Sequence, residues 1–407
     1  MKILIVSQHF WPETFRINEV VTSLVGVGCE ITVLTGQPNY PEGQVFPGYR
    51  AASLGKEIHP EGYTIVRVPL IPRGEGGAFR LLLNYLSFVV TASLLGPFLL
   101  RGQRFDIVLV YAISPILQSL PAILIKLIKR IPLAIWVQDL WPQSLSVTGF
   151  IKNGLILNSV AAVTSWIYKR SDLLLVQSQA FIPEVQKMAS SVPIVYHPNP
   201  GDSLDTATSG GDCAYSLGDG FNIVFAGNVG NAQSPETLLE VARCLRGRPH
   251  IRLVIVGGGS RLDWLAAQAE REGLLNLEFA GRFPSSAMPT IYAQASALLV
   301  TLGSESVLTK TIPSKIPSYM AAAKPIIGSI DGEGARVLCE AGAGLVVPAA
   351  DAQQLVAAIL TMSEADEAAL SQWGQAGQRY FNEYFHPGKL AEELKSKLEE
   401  ASIQYER

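Results

Sequence analysis

Short apolar runs alternate along the chain with longer stretches of helical periodicity. Ile3–Val6 is uninterruptedly apolar and predicts a buried first strand. Residues 116–128 repeat leucine and isoleucine at helical spacing, and Lys126 and Lys129 lie near the end of this segment, where cations suit the helix dipole. Short apolar strands separated by helices predict parallel sheets covered on both faces. The further predicted strands are 30–35, 64–69, 105–111, 132–138, 172–177, 193–196, 222–226, 252–256, 277–280, 297–301, 325–330 and 345–347.

This alternation is interrupted once, at residues 199–220. Prolines, glycines, serines and aspartates dominate this stretch, a composition typical of a linker or hinge. We therefore expect a first domain over 1–198 and a second over 221–385, joined by 199–220. The most charged helices, at about 364–384 and 387–400, are expected to face solvent.

Residues 81–100 carry no charge and lie between Arg80 and Arg101. Their length is that of a membrane span, which needs about 20 residues. Polar residues, a Gly96-Pro97 pair and the surrounding strand–helix series argue against spanning. Three interpretations stay open: a buried helix of the domain, a helix lying in a membrane interface, and a transmembrane helix.

Composition narrows the class of protein. The 407 residues are 48% hydrophobic and 16% charged, with a net charge of −3. These values exclude a disordered chain, a collagenous or disulfide-rich scaffold, and a nucleic-acid binder held by global charge. The widely spaced Cys29, Cys213, Cys244 and Cys339 are expected to be small buried residues in a reducing compartment. Met1-Lys2 runs directly into the first strand, so we expect no signal peptide.

Candidate chemistry in the first domain lies in loops that follow strands, because ligands of open α/β sheets bind at the carboxyl ends of the strands. His9 is either a ligand or a core histidine. Arg16 either reaches an anion or pairs with Glu19, one helical turn away. Asp139 follows an apolar strand next to Trp141, and either binds hydroxyl groups or caps the next turn.

The second domain offers glycine-rich strand ends and one helix start. Gly257-Gly258-Gly259 is either a phosphate cradle or a tight turn. Ser314 and Lys315, after Pro313, would bring a hydroxyl, a cation and free amides to one place, which suits a diphosphate. Ordinary helix capping explains the same residues equally well. No spacing typical of metal ligands occurs among the histidines.

Several of these strings, taken in order, resemble the retaining enzymes of glycosyltransferase family 4, which have the two-Rossmann GT-B fold. The strings at 225–230, 253–259, 279–284, 313–327 and 341–348 follow the family order in the second half of the chain. In the first half, the strings at 8–16, 137–142 and 199–202 resemble the branch that builds bacterial surface polysaccharides, of the colanic-acid and fucosamine-transferase types. The likeness covers essentially the whole chain.

This resemblance implies an α/β fold of two Rossmann-like parallel-sheet domains facing across a cleft. The first domain would bind the acceptor and the second the nucleotide sugar, and a C-terminal helix, 386–407, would return to the first. The reaction implied is retaining and metal-independent sugar transfer, with no cofactor, from a nucleotide-diphosphate donor, with UDP expected, to a lipid-linked or saccharide acceptor. The implied setting is synthesis of a capsule, O-antigen or exopolysaccharide in the cytoplasm, at the inner face of the cell membrane. Residues 80–101 would make peripheral membrane contact, with Lys126, Lys129, Arg130, Lys169 and Arg170 as candidates for anionic headgroups.

The chain departs from the family where donor contacts are usually made. Ser318 and Lys310 stand where the family has the two glutamates of its E-x7-E motif, and Asn228 and Gln233 replace an arginine and a lysine. Lys315 then becomes the expected phosphate partner, with Arg16 second. The resemblance implies a catalytic pair, Asp139 and Lys315, and acceptor contacts from His9, Trp11 and Trp141. The implied donor-binding residues are Arg16, Gly227, Asn228, Gly257, Gly258, Arg282 beside the base, Glu305, Ser314 and Ser318.

Two other classes of protein share such a fold. A UDP-sugar 2-epimerase would need acid–base carboxylates and histidines, and few histidines occur here. A non-catalytic relative that binds sugar or a partner is the other alternative, since the two motif carboxylates are missing.

Overall fold

The computed structural model describes residues 1–75, 77–147, 153–202, 215–305 and 308–406. The chain divides into two compact units. The first contains Met1–Pro200 and takes in the C-terminal segment from Pro387; the second runs from Gly201 to His386. The division lies at the start of the expected linker, of which residues 203–214 are outside the described residues.

The first unit is built on an eight-stranded sheet with the order β3-β4-β2-β1-β5-β6-β7-β8. All neighbouring strands are parallel except β3 and β4, which pair antiparallel from Gly55 opposite Arg67. The elements are β1 Lys2–Val6, α1 Arg16–Gly26, β2 Glu30–Thr35, β3 Gly55–Ile58, β4 Thr64–Arg67, α2 Ala78–Leu99, β5 Ile107–Ala112, α3 Ser119–Lys129, β6 Leu133–Val137, α4 Gln143–Val147, α5 Gly154–Tyr168, β7 Leu173–Val176, α6 Ile182–Met188 and β8 Ile194–Tyr196.

The second unit contains a six-stranded parallel sheet with the order β11-β10-β9-β12-β13-β14. Its elements are β9 Phe221–Asn228, α7 Pro235–Cys244, β10 Ile251–Gly258, α8 Leu262–Glu272, β11 Leu277–Gly281, α9 Met288–Gln294, β12 Ala297–Thr301, α10 Lys315–Ala321, β13 Ile326–Ser329, α11 Gly332–Ala341, β14 Gly344–Val347, α12 Ala352–Ser363 and α13 Glu367–Tyr384. Two Rossmann-like domains are thus confirmed.

The last helix, α14 (Pro387–Glu406), crosses back to the first unit. It buries Leu394 and Leu398 against α1, where Val21 and Leu24 are also fully enclosed. The expectation that both final helices face solvent is wrong for one face of each, since α13 also buries Phe381. An amphipathic helix hides its apolar stripe however charged its other face is.

The apolar segment 81–100 forms most of α2, which extends over Ala78–Leu99. One stripe of α2, including Asn84, Phe88, Ala92 and Gly96, is buried against the domain. Its opposite stripe is exposed and almost wholly apolar. Among the described residues, α2 alone is long and apolar enough to cross a membrane, and 28% of its apolar window is buried.

The cysteine expectation holds for one residue of the described three. Cys29 is buried, whereas Cys244 and Cys339 are exposed free thiols. Both exposed thiols lie at helix ends, where the sequence pattern does not separate core from surface. Cys213 lies outside the described residues.

Candidate active site

A pocket of about 400 Å³ lies in the second unit, beside the carboxyl ends of β9, β10 and β11. These strand ends are adjacent because β10 lies between β9 and β11. Seven of the expected site residues line the pocket, drawn from three strand ends and the start of α10. They are Gly227, Gly257, Gly258, Arg282, Ser314, Lys315 and Ser318.

Lys315 is one of two basic residues that line this pocket, the other being Arg282. Its Nζ atom lies 3.4 Å from the centre of the Phe225 ring. That amine is buried and contacts no hydrogen-bond acceptor among the described residues. Burial lowers the pKa of the Lys315 ammonium to about 7. A buried, unpaired amine of this kind is ready to receive an anion.

Glycine is required where the strands end. Gly227 has φ +120°, and a Cβ there would lie 3.1 Å from Cε of Lys315. Gly257 has φ +139°, and a Cβ there would overlap the carbonyl of Gly227. Both positions therefore exclude side chains, which keeps the strand ends open to a ligand.

Ser318 and Asp202 form the polar wall of the pocket. The Ser318 hydroxyl donates to Oδ2 of Asp202 at 2.5 Å, and Ser318 is 6% exposed. Asp202 has no role among the residues expected from sequence. In the sequence, Asp202 stands out only as part of the string Asn199-Pro-Gly-Asp, and these residues were assigned to the linker. The structure thus brings a carboxylate next to Ser318, the position where this chain lacks the glutamate of the family motif.

Three expected donor-site residues stand outside this pocket. Asn228 is exposed, and its side chain turns toward Gln233 at 3.5 Å. Glu305 is exposed beside Gly303. Arg16 belongs to the first unit, where it begins α1 and pairs with Glu19, as the helical spacing allowed. Ser314 lines the pocket as the N-cap of α10 but makes no capping hydrogen bond with its side chain.

Asp139 lies at the carboxyl end of β6 in the first unit. One of its oxygens, Oδ2, accepts hydrogen bonds from the Ser114 amide at 3.0 Å and the Ser114 hydroxyl at 2.9 Å. Burial raises the pKa of the Asp139 carboxyl, and the two Ser114 hydrogen bonds oppose this effect. Within the part of the chain that the structure describes, Asp139 accepts no hydrogen bond from the turn that follows it, so it does not cap that turn. The second oxygen, Oδ1, has no hydrogen-bond partner among the described residues.

His9 forms a buried pair with Glu13. Its Nδ1 lies 2.8 Å from Oε2 of Glu13, and the two residues are 2% and 1% exposed. The other carboxylate oxygen accepts the amides of Asn39 at 2.6 Å and Tyr40 at 2.7 Å. A carboxylate held in this way favours the proton on Nδ1 and leaves Nε2 as an acceptor. Glu13 had no expected role, although it lies in the string 8–16.

The two tryptophans differ. Trp11 is half-buried and packs edge-on to His59, with ring centres 5.0 Å apart. Trp141 is 8% exposed and lies in a core cluster of the first unit, so it offers an acceptor little surface. Sequence could not separate them, because both stand next to proline after a strand.

No group of three or more His, Cys, Asp or Glu side chains suited to a metal ion occurs in the described ranges.

Comparison with known proteins agrees with this geometry. Residues 220–365 match the family model Glycosyl transferases group 1. The WcaI protein of Escherichia coli (strain K12), described as a glycosyl transferase of colanic acid biosynthesis, is 25% identical over 338 residues, which are 79% of this chain and 81% of WcaI.

Solved structures of the same fold align over nearly the whole chain. Sucrose-phosphate synthase from Thermosynechococcus elongatus has a TM-score of 0.72 and 16% identity, covering 98% of each chain. Anabaena HepE, in complex with UDP and glucose, has a TM-score of 0.68 and 15% identity, covering 98% of this chain and 99% of HepE. A trehalose-6-phosphate protein from E. coli bound with UDP-2-fluoro glucose has the same TM-score, identity and coverage.

The family-model match and the similarity to WcaI support a glycosyltransferase, and the two Rossmann-like units, with the solved structures that align to them, show the GT-B fold.

Proposed function

We propose that this enzyme is a family 4 glycosyltransferase that moves a sugar, with retention and without a metal, from a UDP-sugar to a lipid-linked or saccharide acceptor in bacterial polysaccharide synthesis. The observation that carries the proposal is the buried Lys315 amine, which has no acceptor among the described residues and faces the glycine-lined pocket. An anionic diphosphate supplies what this amine lacks.

The leaving group explains the pocket chemistry. Negative charge develops on the departing diphosphate, and a cation positioned in advance stabilises that charge in a partly dry site. Lys315 provides the cation, and the open strand ends at Gly227 and Gly257 let backbone amides approach the phosphates. Arg282 flanks the base, and the Ser318–Asp202 pair binds ribose hydroxyls. Arg16 is a second partner for the diphosphate.

The first unit provides for the acceptor. Asp139 has an oxygen available for hydroxyl groups of the sugar or the acceptor. His9, held by Glu13, offers its second nitrogen, and Trp11 offers an aromatic face. Aromatic surface beside hydrogen-bonding groups is suited to a saccharide.

The known relatives support the class of substrate. HepE and the E. coli trehalose-6-phosphate protein were solved with UDP or a UDP-sugar, and WcaI is described as acting in colanic acid biosynthesis. UDP is accordingly the nucleotide we propose for this chain.

A peripheral membrane contact completes the proposal and places the enzyme on the cytoplasmic face. The exposed stripe of α2 repeats at intervals of four residues and presents Leu82, Leu86, Val90, Leu94 and Phe98. A long apolar stripe without charge favours insertion into a membrane interface.

The five expected headgroup cations divide into two groups. Lys126 binds Asp172 at 2.6 Å, and Lys129 donates to the carbonyls of Leu100 and Gln103, so both serve the fold. Arg130, Lys169 and Arg170 are exposed and remain candidates.

Flotation with anionic liposomes tests the membrane contact. Leu82→Asp combined with Leu94→Asp should abolish co-flotation, because both side chains are exposed, at 48% and 73%. Phe88 is fully buried, so its replacement would report on folding instead. Leu275→Asp, on a residue 95% exposed in the second unit, is the matched control. A wild-type protein that stays with the aqueous phase would overturn the membrane contact.

Donor binding tests the enzymatic proposal. A ligand that binds only the folded state raises its apparent stability, so UDP should raise the melting temperature more than GDP. Lys315→Ala should remove this shift and lower transfer from UDP-sugars by about 100-fold or more, the size of effect seen when one transition-state partner is lost. Lys389→Ala, on an exposed lysine of α14, should change neither. Unchanged transfer in Lys315→Ala would refute the assignment, and epimerised donor as the product would indicate the alternative class of enzyme.

A further inference from the structure

An apolar groove of about 600 Å³ runs along one flank of α2 in the first unit. Its volume lies within the ~300–1,000 Å³ typical of small-molecule sites. One wall is α2, and the other is the chain at 51–52 and 69–72. None of the residues assigned to donor or acceptor lines it.

The polar side chains in this groove are already satisfied. The Ser87 hydroxyl accepts the Ile71 amide at 2.9 Å and donates to the Asn84 carbonyl at 2.9 Å. The Thr91 hydroxyl contacts the Pro69 carbonyl at 2.6 Å and the Ser87 carbonyl at 2.8 Å. The groove therefore offers no unpaired side-chain hydroxyl to a polar ligand. Its apolar lining favours binding of a hydrocarbon chain.

The groove is continuous with the exposed apolar stripe of α2. Leu86 and Val90 belong to both, and they are 41% and 53% exposed. A hydrocarbon chain leaving a lipid layer at this stripe would enter the groove without crossing a polar surface. This continuity favours a lipid chain over a soluble apolar ligand.

Charge favours an anionic lipid. Helices α2, α3 and α5 contain no aspartate or glutamate, although the chain as a whole has a net charge of −3. Past the Ile71–Pro72 end of the groove, the Arg73 guanidinium lies over the Tyr40 ring at 4.9 Å. Among the described residues, neither Arg73 nor Arg80 is in an ion pair with a carboxylate, although Glu42 and Glu75 line the adjoining pocket.

This end of the groove is tied to the His9 pair by hydrogen bonds. The Arg73 amide donates to Oδ1 of Asn39 at 3.1 Å, and the Asn39 amide donates to Oε1 of Glu13 at 2.6 Å. Glu13 in turn holds His9. A phosphate near Arg73 would therefore lie on the side of the unit where the proposed acceptor residues are.

We infer that the groove beside α2 binds the hydrocarbon chain of a lipid phosphate, with the phosphate at Arg73 and Arg80. The inference rests on the proposed function, because it identifies the lipid as the carrier of the acceptor. It adds a chain-binding site and a chain-length preference to the membrane contact of the exposed stripe.

Binding of soluble prenyl phosphates to the full-length protein tests the inference. We expect farnesyl phosphate to bind about tenfold or more tighter than geranyl phosphate, because each additional buried methylene strengthens binding. Inorganic phosphate should bind far more weakly than either. Ala52→Trp places a ring in the groove and should remove the preference for the longer chain. Leu275→Trp adds the same ring to exposed surface of the second unit, away from the groove and the stripe, and should leave the preference unchanged.

The outcomes separate this inference from the proposed function. Equal affinity of wild type and Ala52→Trp for farnesyl phosphate would refute the groove as the site of the hydrocarbon chain. An unchanged thermal shift with UDP would at the same time still support the proposed transferase function. Equal affinity for geranyl and farnesyl phosphate in the wild type would overturn the groove assignment as well. Binding to anionic vesicles with no binding of farnesyl phosphate would show that α2 contacts lipid surfaces only. Arg73→Gln should weaken the binding of farnesyl phosphate but not that of farnesol. Equal weakening of both would refute the assignment of the phosphate to Arg73.

Discussion

The hydroxyl of Ser318 donates a hydrogen bond of 2.5 Å to the carboxylate of Asp202, and both residues line the donor pocket. The two are 116 positions apart in sequence, so the pair exists only through the fold. It restores a carboxylate beside α10, where the family motif would place glutamate.

Asp202→Ala should therefore reduce discrimination between nucleotides that differ at the ribose. If the carboxylate binds ribose hydroxyls, wild type prefers UDP to 2′-deoxy-UDP by about tenfold or more, since a hydrogen bond to a charged group is worth ~1.5–3 kcal/mol. The variant should lose UDP affinity and bind both nucleotides alike. Titration calorimetry with the two nucleotides measures this, and an equal loss for both would assign Asp202 to the framework of the pocket.

Lys315 predicts that nucleotide binding depends on pH. Its pKa is about 7 in the free protein because the amine is buried. A bound diphosphate favours the charged form and raises that pKa, so binding at pH 8 should take up close to one proton and binding at pH 6 none. Affinity for UDP should then fall as pH rises above 7, by at most ~tenfold per unit.

Calorimetry in buffers of different ionisation enthalpy counts the protons taken up. Work above pH 7.5 avoids the nucleotide's own terminal phosphate, which titrates near pH ~6. Lys315→Met keeps an apolar stem over Phe225 and should abolish the uptake. The same uptake in Lys315→Met would show that another group is responsible.

Ser114 should tune the pH dependence of transfer through Asp139. Its hydroxyl and amide both stabilise the ionised carboxylate, against the burial that raises the carboxyl pKa. Ser114→Ala removes one of the two hydrogen bonds, so the pKa of Asp139 should rise and the acidic limb of the pH–activity profile should move to higher pH. Ser159→Ala, which loses only a hydroxyl bonded within α5, is the control. If the acidic limb of the pH–activity profile does not move while turnover falls, Ser114 only positions the Asp139 carboxylate and does not set its pKa.

Hydrophobic periodicity was sufficient to predict two α/β domains with parallel sheets, whereas the GT-B fold was expected from the family resemblance. Parallel strands buried on both faces are apolar throughout, so β1, β6 and β12 could be predicted to within a residue or two. The antiparallel edge strand β3 was missed because Gly55–Ile58 includes Lys56 and Glu57 and is only half-buried. The long segment at α2 stayed ambiguous because a helix with one buried apolar face and one exposed apolar face has no amphipathic pattern.

Site residues could be predicted only where they lie next to a strand end or a helix start in the sequence. Lys315 and the glycines follow strands or begin a helix, and these positions mark the carboxyl edge of a sheet. Asp202 lies in a segment whose composition predicts a linker. Glu13 is held in place by the amides of Asn39 and Tyr40, which are distant in sequence, so its contact with His9 could not be predicted. Burial of Trp141 likewise depends on packing between distant elements.

Replacing Leu394 in α14 should destabilise the first unit, although this helix follows the second unit in the chain. Leu394 and Leu398 are 1% and 0% exposed and pack among Val20, Val21 and Leu24 of α1. Leu394→Ala should cost about 2–5 kcal/mol, the usual range for a leucine lost from a core. Hydrogen exchange resolved by peptide should quicken in α1 and β1 and stay unchanged in β9 and β10, whereas Ile403→Ala, at a residue 54% exposed, should alter neither. Faster exchange confined to the second unit would contradict the return of α14 to the first.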